Sequence, residues 1–246
     1  MRVLVIDTAL DACTAAVFED GRALGVRTEL MARGHSERLG GFVRDAVAEA
    51  GGGFQSLDRI GVTVGPGSFT GLRVGLAFAQ GLGAALDLPV VGISTLEALA
   101  RSKEVQSSDL GVLAAIDARR GQIYFQSFHG DRADAPPEAL DVDEACRRFL
   151  KPRSFSWSLV GSGAPLIAEA LSRHWPETNP RSAKDEPFSS EALTSLIRNP
   201  TVEALAALTA AHDPATHPPT PLYLRAPDAT PPTRLPGQAR PAAVGA

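Results

Sequence analysis

Residues 61–75 read Gly61-Val-Thr-Val-Gly-Pro-Gly-Ser-Phe-Thr-Gly-Leu-Arg-Val-Gly75, and the turn at their centre decides which fold the chain can have. A Walker loop needs Gly-x-x-x-x-Gly-Lys-Ser/Thr, because its lysine reaches the terminal phosphates, and residues 65–75 contain no lysine. A dinucleotide fingerprint needs Gly-x-Gly-x-x-Gly, whereas Gly65-Pro-Gly67 meets its next glycine at Gly71, one residue late, with a proline inside the turn. What remains is a strand-to-helix turn. Ser68 and Thr70 stand where side chains cap a helix, and the backbone amides around Gly67 could meet an anion there. A tight turn without any ligand fits the same residues.

The segment after the turn predicts a helix from about Thr70 to Leu86. Gly71, Gly75, Ala79 and Gly83 recur every four residues and form one side-chain-poor stripe along it. Glycine inside a helix costs about 0.8–1 kcal/mol relative to alanine, so the stripe needs a packing reason. Either the chain's own first helix lies on it, or a second subunit does.

Upstream, Val3–Ile6, Thr14–Phe18 and Arg22–Leu30 predict three strands joined by polar turns, with Glu19-Asp-Gly21 as a hairpin signal. His35–Ala50 carries apolar residues at Leu39, Phe42, Val43, Ala46 and Val47, a helical spacing that stops at Gly51-Gly-Gly53. Ile60–Val64 and Pro89–Ile93 flank the second helix as strands. Three meandering strands, then helix, strand, helix, strand, is the order of a ribonuclease-H-like α/β lobe. A fainter second pass begins with strands at Val112–Ile116 and Ile123–Phe128 around the turn Asp117–Gly121. Ser158–Gly161 then leads into a helix from about Ala164 to Arg173. The expected division is a first lobe at 1–100, a reduced second lobe at 101–225 and a Pro/Ala-rich tail at 226–246. Only Leu222–Arg225 in the proline-rich end is apolar enough to dock on the body.

Bulk properties exclude several classes. A chain of 246 residues with 44% hydrophobic composition can bury one large core or two smaller ones. The formal charge is −4, and only three of the 24 basic residues are lysines, so no basic stripe of an autonomous nucleic-acid binder is present. Cys13 and Cys146 are far apart with no Cys-x-x-Cys spacing, which fits a reducing compartment. No run reaches roughly 18 continuous apolar residues, and the first residues predict a strand; the expected location is cytoplasmic, without a membrane partner.

Several stretches together resemble the TsaB (YeaZ) family across residues 1–225. They are Asp7-Thr8, His35-Ser-Glu-Arg-Leu39, Val64–Gly75, Ile93-Ser-Thr-Leu-Glu-Ala98, Ile116–Tyr124 and Tyr223-Leu-Arg225. The resemblance implies the two-lobed fold of the actin/Hsp70/sugar-kinase (ASKHA) superfamily. It also implies a role in making N6-threonylcarbamoyladenosine at position 37 of transfer RNA, as a heterodimer with a TsaD-type transferase. A TsaE-type ATPase joins in a larger complex, tRNA is contacted through the complex, and the free chain can pair with itself. The implied partner face lies on the two helices, at Ser36, Leu39, Gly40, Val43, Gly71, Arg73, Gly75, Ala79 and Gly83. Asp7 and Thr8 fall where ATP-using members of the fold hold metal-bound phosphates, so Asp7, Thr8, Gly67, Ser68 and Thr70 form the candidate anion or nucleotide set. Arg119 and Arg120, on a turn of two guanidiniums, are either a solvated hairpin tip or a docking or anion site.

The chain also departs from the transferase pattern. TsaD carries His-x-x-x-His as its metal ligands, and the matching segment here is Thr95-Leu-Glu-Ala-Leu99, whose first and last residues cannot replace imidazoles. Histidines 35, 129, 174, 212 and 217 show no metal-binding spacing. His35-Ser36-Glu37 is not a triad, because adjacent helical residues point about 100° apart, and Ser36 reads instead as a cap. The expectation is therefore a non-catalytic subunit with no metal or cofactor of its own, ATP or metal entering only with the TsaD-type partner. The rival is a stand-alone ASKHA-fold kinase, ATPase or peptidase. A kinase would need a second phosphate-binding turn that Asp117-Ala-Arg119 does not supply.

Overall fold

In the computed structural model, residues 1–102, 110–149, 156–174 and 197–225 are described. The first lobe comprises β1 (Arg2–Asp7), β2 (Ala12–Glu19), β3 (Arg22–Leu30), α1 (His35–Ala50), β4 (Arg59–Gly65), α2 (Phe69–Leu86), β5 (Val90–Ser94) and α3 (Thr95–Arg101). Its sheet runs in the order β3-β2-β1-β4-β5. The β1–β2–β3 meander is antiparallel, whereas β1–β4 and β4–β5 are parallel.

Helices cover both faces of this sheet, so β1 and β2 are buried on both sides. Alternation along β1 separates two cores. Leu4 and Ile6 join Cys13, Ala15 and Val17 beneath α1 and α2. Val3 and Val5 join Ala16 and Phe18 on the other side, where α3 contributes Ala98. That second core is completed from the far end of the chain, by Leu205 and Leu208 of α6 (Val202–Ala211). The packing therefore does not follow the expected division at residue 100: α6, absent from the sequence expectation, belongs to the first lobe. Its periodicity is hidden because it is apolar almost all round, as a helix buried on several sides is. Close approach is possible because β4 has a glycine beneath it, and a Cβ at Gly61 would overlap the Thr209 hydroxyl.

The second lobe comprises β6 (Leu110–Arg119), β7 (Gln122–His129), β8 (Arg132–Ala133), β9 (Glu138–Asp141), α4 (Val142–Phe149), β10 (Ser156–Val160) and α5 (Ala164–His174). Its sheet runs β10-β6-β7-β8, with β9 also paired to β7. The antiparallel β6–β7 pair and the parallel β6–β10 pair repeat the pattern of β1–β2 and β1–β4. Among the described residues nothing repeats β5. Trp157, buried to 1% exposure, anchors the lobe's core with Ala145, Cys146 and Ile167. The short helix α3, also absent from the sequence expectation, joins the lobes by packing Leu96 and Leu99 against Val112, Ala114 and Ile116.

Beyond α6 the chain crosses back over the first lobe as a strap. The His217 carbonyl accepts from the Gly92 N–H, the Pro219 carbonyl from Gln80 Nε2, and the Leu222 N–H donates to the Val64 carbonyl. Leu222 packs against the first core, and Arg225 Nη1 reaches the Ala118 carbonyl of the second lobe, so the apolar Leu222–Arg225 segment does dock. The expected tail at 226–246 lies outside the described residues.

The small-residue stripe of α2 faces inward. Gly71, Gly75, Ala79 and Gly83 are buried, and added Cβ atoms would overlap the Thr8 carbonyl at Gly71, the Thr8 hydroxyl at Gly75 and the Val90 side chain at Gly83. The stripe therefore packs on Thr8 after β1, on β4 and on β5 of the same chain and not on another subunit, which corrects the inter-subunit expectation for these four residues. The reason is geometric: a helix can lie this close to a strand only where it carries no side chain. By length and composition alone the 18-residue α2 could cross a membrane. Its buried face lies on the sheet as a core helix does.

Two glycines of α2 give opposite expected outcomes. Gly81 is exposed with nothing near its missing Cβ, so Gly81→Ala should stabilise the isolated chain by up to about 1 kcal/mol through helix propensity. Gly75→Ala should destabilise despite the same propensity gain, and Gly75→Leu should cost at least ~1–3 kcal/mol by overpacking. Urea melts of the three variants check both signs.

Candidate functional site

The turn at 65–68 is built from both sides. Ser68 caps α2 by accepting the Gly71 N–H at 3.2 Å, as its residue type leads one to expect, while its own N–H donates to the Ala9 carbonyl at 2.7 Å. Thr70 is exposed in the first turn and does not cap. Thr8, fully buried, donates its hydroxyl to the Gly71 carbonyl at 2.7 Å. The β1–β2 turn and the start of α2 are thus one unit.

Asp7 lies beneath this unit at 1% exposure. Its Oδ1 accepts from the Ala9 N–H at 2.9 Å and the Thr63 hydroxyl at 2.8 Å. Burial raises its carboxyl above the usual range, against the lowering effect of the two hydrogen bonds and the nearby His35. The candidate anion set is therefore split. Gly67 and Ser68 border an open cleft between the lobes, Asp7 and Thr8 sit behind its wall, and Thr70 is not among the residues lining it.

The cleft has a volume of about 450 Å³. The first lobe supplies Asp11, His35 and Ser68; the second supplies Asp117 and Arg119 from the β6–β7 hairpin and Ser162 from the approach to α5. Arg119 and Arg120 both take left-handed backbone conformations at the hairpin tip, φ 64 and 56. Arg119 pairs with Asp117 at 3.2 Å and lines the cleft, whereas Arg120 is not among the residues lining it. Among the described residues no group of three His, Cys, Asp or Glu side chains could hold a metal ion. Both cysteines are buried and their thiols are pushed up to about 11, chiefly by desolvation. That keeps them protonated and unreactive at neutral pH.

The partner-face residues divide in the same way. Leu39 and Val43 are buried in the first core, a second correction, because the apolar stripe of α1 is used up by its own sheet. Ser36, Gly40 and Arg73 are exposed. The outward side of α2 also presents Phe69, Ala77, Gly81, Ala84 and Ala85, which sequence reasoning passed over. Arg73 stacks over the Phe69 ring at 3.7 Å, and Tyr223 of the strap closes on the same ring at 5.6 Å.

Comparison with known proteins bears directly on this arrangement. The family model described as "TsaD: tRNA N6-adenosine threonylcarbamoyltransferase" matches residues 17–232. The tRNA threonylcarbamoyladenosine biosynthesis protein TsaB of Escherichia coli K12 is 35% identical over 167 residues, 66% of this chain and 72% of that one. TsaB of Haemophilus influenzae is 38% identical over 125 residues, 51% and 52% of the two chains. The solved structure of YeaZ from Pseudomonas aeruginosa superposes with a TM-score of 0.70 at 27% identity, covering 91% of this chain and 99% of that one. The chain belongs to the TsaB/YeaZ family. Its architecture is accordingly the two-lobed α/β fold of the actin-like ASKHA group. Within the family model's span, Thr95 and Leu99 of α3 are both fully buried.

Asp7 gives a pH-dependent outcome. An acid whose folded value is raised contributes stability that is fully present below the unfolded value, near ~3.9, and is lost as pH rises through the folded value. Asp7→Asn keeps an Oδ1 acceptor for Ala9 and Thr63 without the buried charge. Its stability relative to the parent should increase between about pH 4 and the parent's raised value, with a slope of at most about 1.4 kcal/mol for each step of one in pH, and level off above it. A difference that stays flat from pH 4 to pH 8 in urea melts would show that the Asp7 carboxyl is not raised.

Proposed function

We propose that this chain is the non-catalytic partner subunit of a TsaD-type threonylcarbamoyl transferase, acting in the cytoplasm in the formation of N6-threonylcarbamoyladenosine on tRNA. The observation that carries this reading is the match to TsaB over 72% of the E. coli protein, whose name places that protein in the same biosynthesis. The transferase moves threonylcarbamoyl onto adenine N6, and this subunit makes it competent. A TsaE-type ATPase completes the cycle, tRNA is bound by the assembly, and ATP or metal enters only with the partner. In the absence of partner, the same face serves a homodimer.

The docking face is the outer side of α1 and α2. Ser36, Gly40 and Arg73 of the expected set lie on it, joined by Phe69, Ala77, Gly81 and Ala84. Small residues there let a partner's helices approach closely, and the Phe69–Arg73–Tyr223 cluster supplies an aromatic and guanidinium anchor of the type that dominates interfaces. In domain terms, we read residues 1–100 with the returning 202–225 as the partner-binding lobe. Residues 101–174 form a second, reduced ribonuclease-H-like lobe that lacks a counterpart of β5 among the described residues.

The purified chain alone should give no threonylcarbamoyladenosine from the adenylate and tRNA, and should not bind tRNA tightly at physiological salt. Adding it to its transferase should restore formation. Gly81→Leu and Arg73→Glu should leave the melting temperature of the isolated chain within a degree or two and weaken the heterodimer at least about tenfold, or 1.4 kcal/mol. Robust turnover by the chain alone, or wild-type affinity in both variants, overturns the reading.

A further inference from the structure

α2 carries a single charged side chain, Arg73, and the fold holds its guanidinium in place on the exposed side of the helix. Cζ stands 3.7 Å from the centroid of the Phe69 ring, and the Nε–H donates to the Tyr223 hydroxyl at 3.3 Å. Tyr223 arrives on the strap, which is fixed one residue earlier by the Leu222 N–H on the Val64 carbonyl, and its ring meets Phe69 at 5.6 Å. Stacking uses the flat of the guanidinium and Tyr223 uses its Nε–H, so the fork of two terminal nitrogens is left over. Among the described residues Arg73 pairs with no carboxylate. The exposed arginines of α1 do: Arg38 pairs with Glu29 at 2.6 Å and Arg44 with Asp45 at 2.8 Å.

The surroundings decide what that fork requires. Ala77, Gly81 and Ala84, exposed on the same helix, have no hydrogen-bonding side chain to offer it, and the Gln80 amide nitrogen is already committed to the Pro219 carbonyl. An occupant that covers this side of α2 therefore takes a cation out of water in a patch without an acceptor. A buried charge left unpaired is strongly destabilising, and a guanidinium does not escape by losing its proton. The occupant has to bring the acceptor itself. A carboxylate is the protein group whose two oxygens match the fork.

On the reading that a TsaD-type transferase docks on this side, we propose that the transferase presents an aspartate or glutamate to the terminal nitrogens of Arg73. Tyr223 is then a positioning residue, holding the guanidinium where the carboxylate arrives. The same charge logic separates the transferase from a second copy of this chain. α2 contains no carboxylate, so two copies meeting α2 to α2 leave both guanidiniums without a partner. Glu37, exposed in the first turn of α1 and in no ion pair among the described residues, is the acceptor that a second copy has to spare. A phosphate also fits the fork, but one cation among small apolar residues is not the row of basic contacts by which proteins hold a nucleic-acid backbone.

Heterodimer affinity is measured by titration calorimetry for the full-length chain and its variants, with the melting temperature of each isolated variant as control. Arg73→Gln and Arg73→Lys should each weaken the heterodimer at least about tenfold, the lysine because a point charge cannot make a forked pair. Tyr223→Phe, which keeps the ring and loses the hydroxyl, should weaken it about threefold. Melting temperatures should match the parent. Exposed aspartates and glutamates of the transferase are then changed to arginine one at a time and tested against Arg73→Glu. One of them should recover at least about tenfold in affinity for that variant while weakening the parent, which identifies the carboxylate. Gly81→Leu separates the two levels of inference. If it weakens the heterodimer while Arg73→Gln and Arg73→Lys bind like the parent, the docking face stands and the carboxylate proposal falls; if it too binds like the parent, both fall. The proposal is also overturned if no acidic position gives recovery, if Arg73→Gln weakens a homodimer as much as the heterodimer and Glu37→Gln does the same, or if the loss appears only in tRNA binding by the assembly.

Discussion

The hydroxyl of Thr8, buried at the end of β1 and donated to the Gly71 carbonyl, is the contact on which the first lobe turns. For the bond to form, the start of α2 has to come within touching distance of the strand backbone. Gly71 and Gly75 permit that by leaving no Cβ in the way. Once α2 lies on β1, its direction is fixed: Ser68 caps it at the mouth of the cleft, and its remaining side faces outward. The glycines in the turn and the glycines in the helix thus serve one purpose, which is placing a helix on a strand.

A second close approach on the opposite face has the same logic. Gly61 of β4 leaves room for the Thr209 hydroxyl, which itself donates to the Leu205 carbonyl within α6. That seats a helix from the end of the chain under the sheet formed at its beginning. The strap after α6 then returns over β5, β4 and the start of α2 to reach the second lobe at Ala118. Its path ties Tyr223 to Phe69, so the exposed ring pair on α2 depends on residues far apart in the chain.

What the sequence made legible was local periodicity. The meander, α1 and α2 stand in the amino-acid pattern because alternation and helical spacing are properties of neighbouring residues, and α1 spans His35–Ala50 as its spacing and terminal glycines predict, although its N-cap is Gly34 and the expected cap Ser36 lies inside the helix. Orientation was a different matter. α2 carries two rows at four-residue spacing, Gly71-Gly75-Ala79-Gly83 and Arg73-Ala77-Gly81-Ala85, and both are poor in large side chains. Which row faces the sheet is decided by Thr8 and Val90, residues outside the helix, so the inward row was open to being read as an interface. α3 and α6 escaped for a related reason. One is a seven-residue helix, too short to establish a period, and the other is apolar on nearly every side, so it has no polar face to mark its period. The cleft was only half legible: Gly67 and Ser68 were visible in the turn, but His35 and Arg198 join it only through folding.

Asp7 shows why position in a fold does not by itself carry chemistry. It ends β1 beside the turn that borders the cleft, yet its Oδ1 is committed to Ala9 and Thr63 and its side chain is shut away from the cleft. Burial also raises its carboxyl, so the group that would need to be an anion to hold a metal is the one the site makes hardest to ionise. The two sides of α2 are thereby given separate tasks. Its capped end faces the cleft, while its outer row presents small residues and one aromatic cluster to solvent. A helix so placed can dock a partner on its outer row without reorganising the cleft at its start.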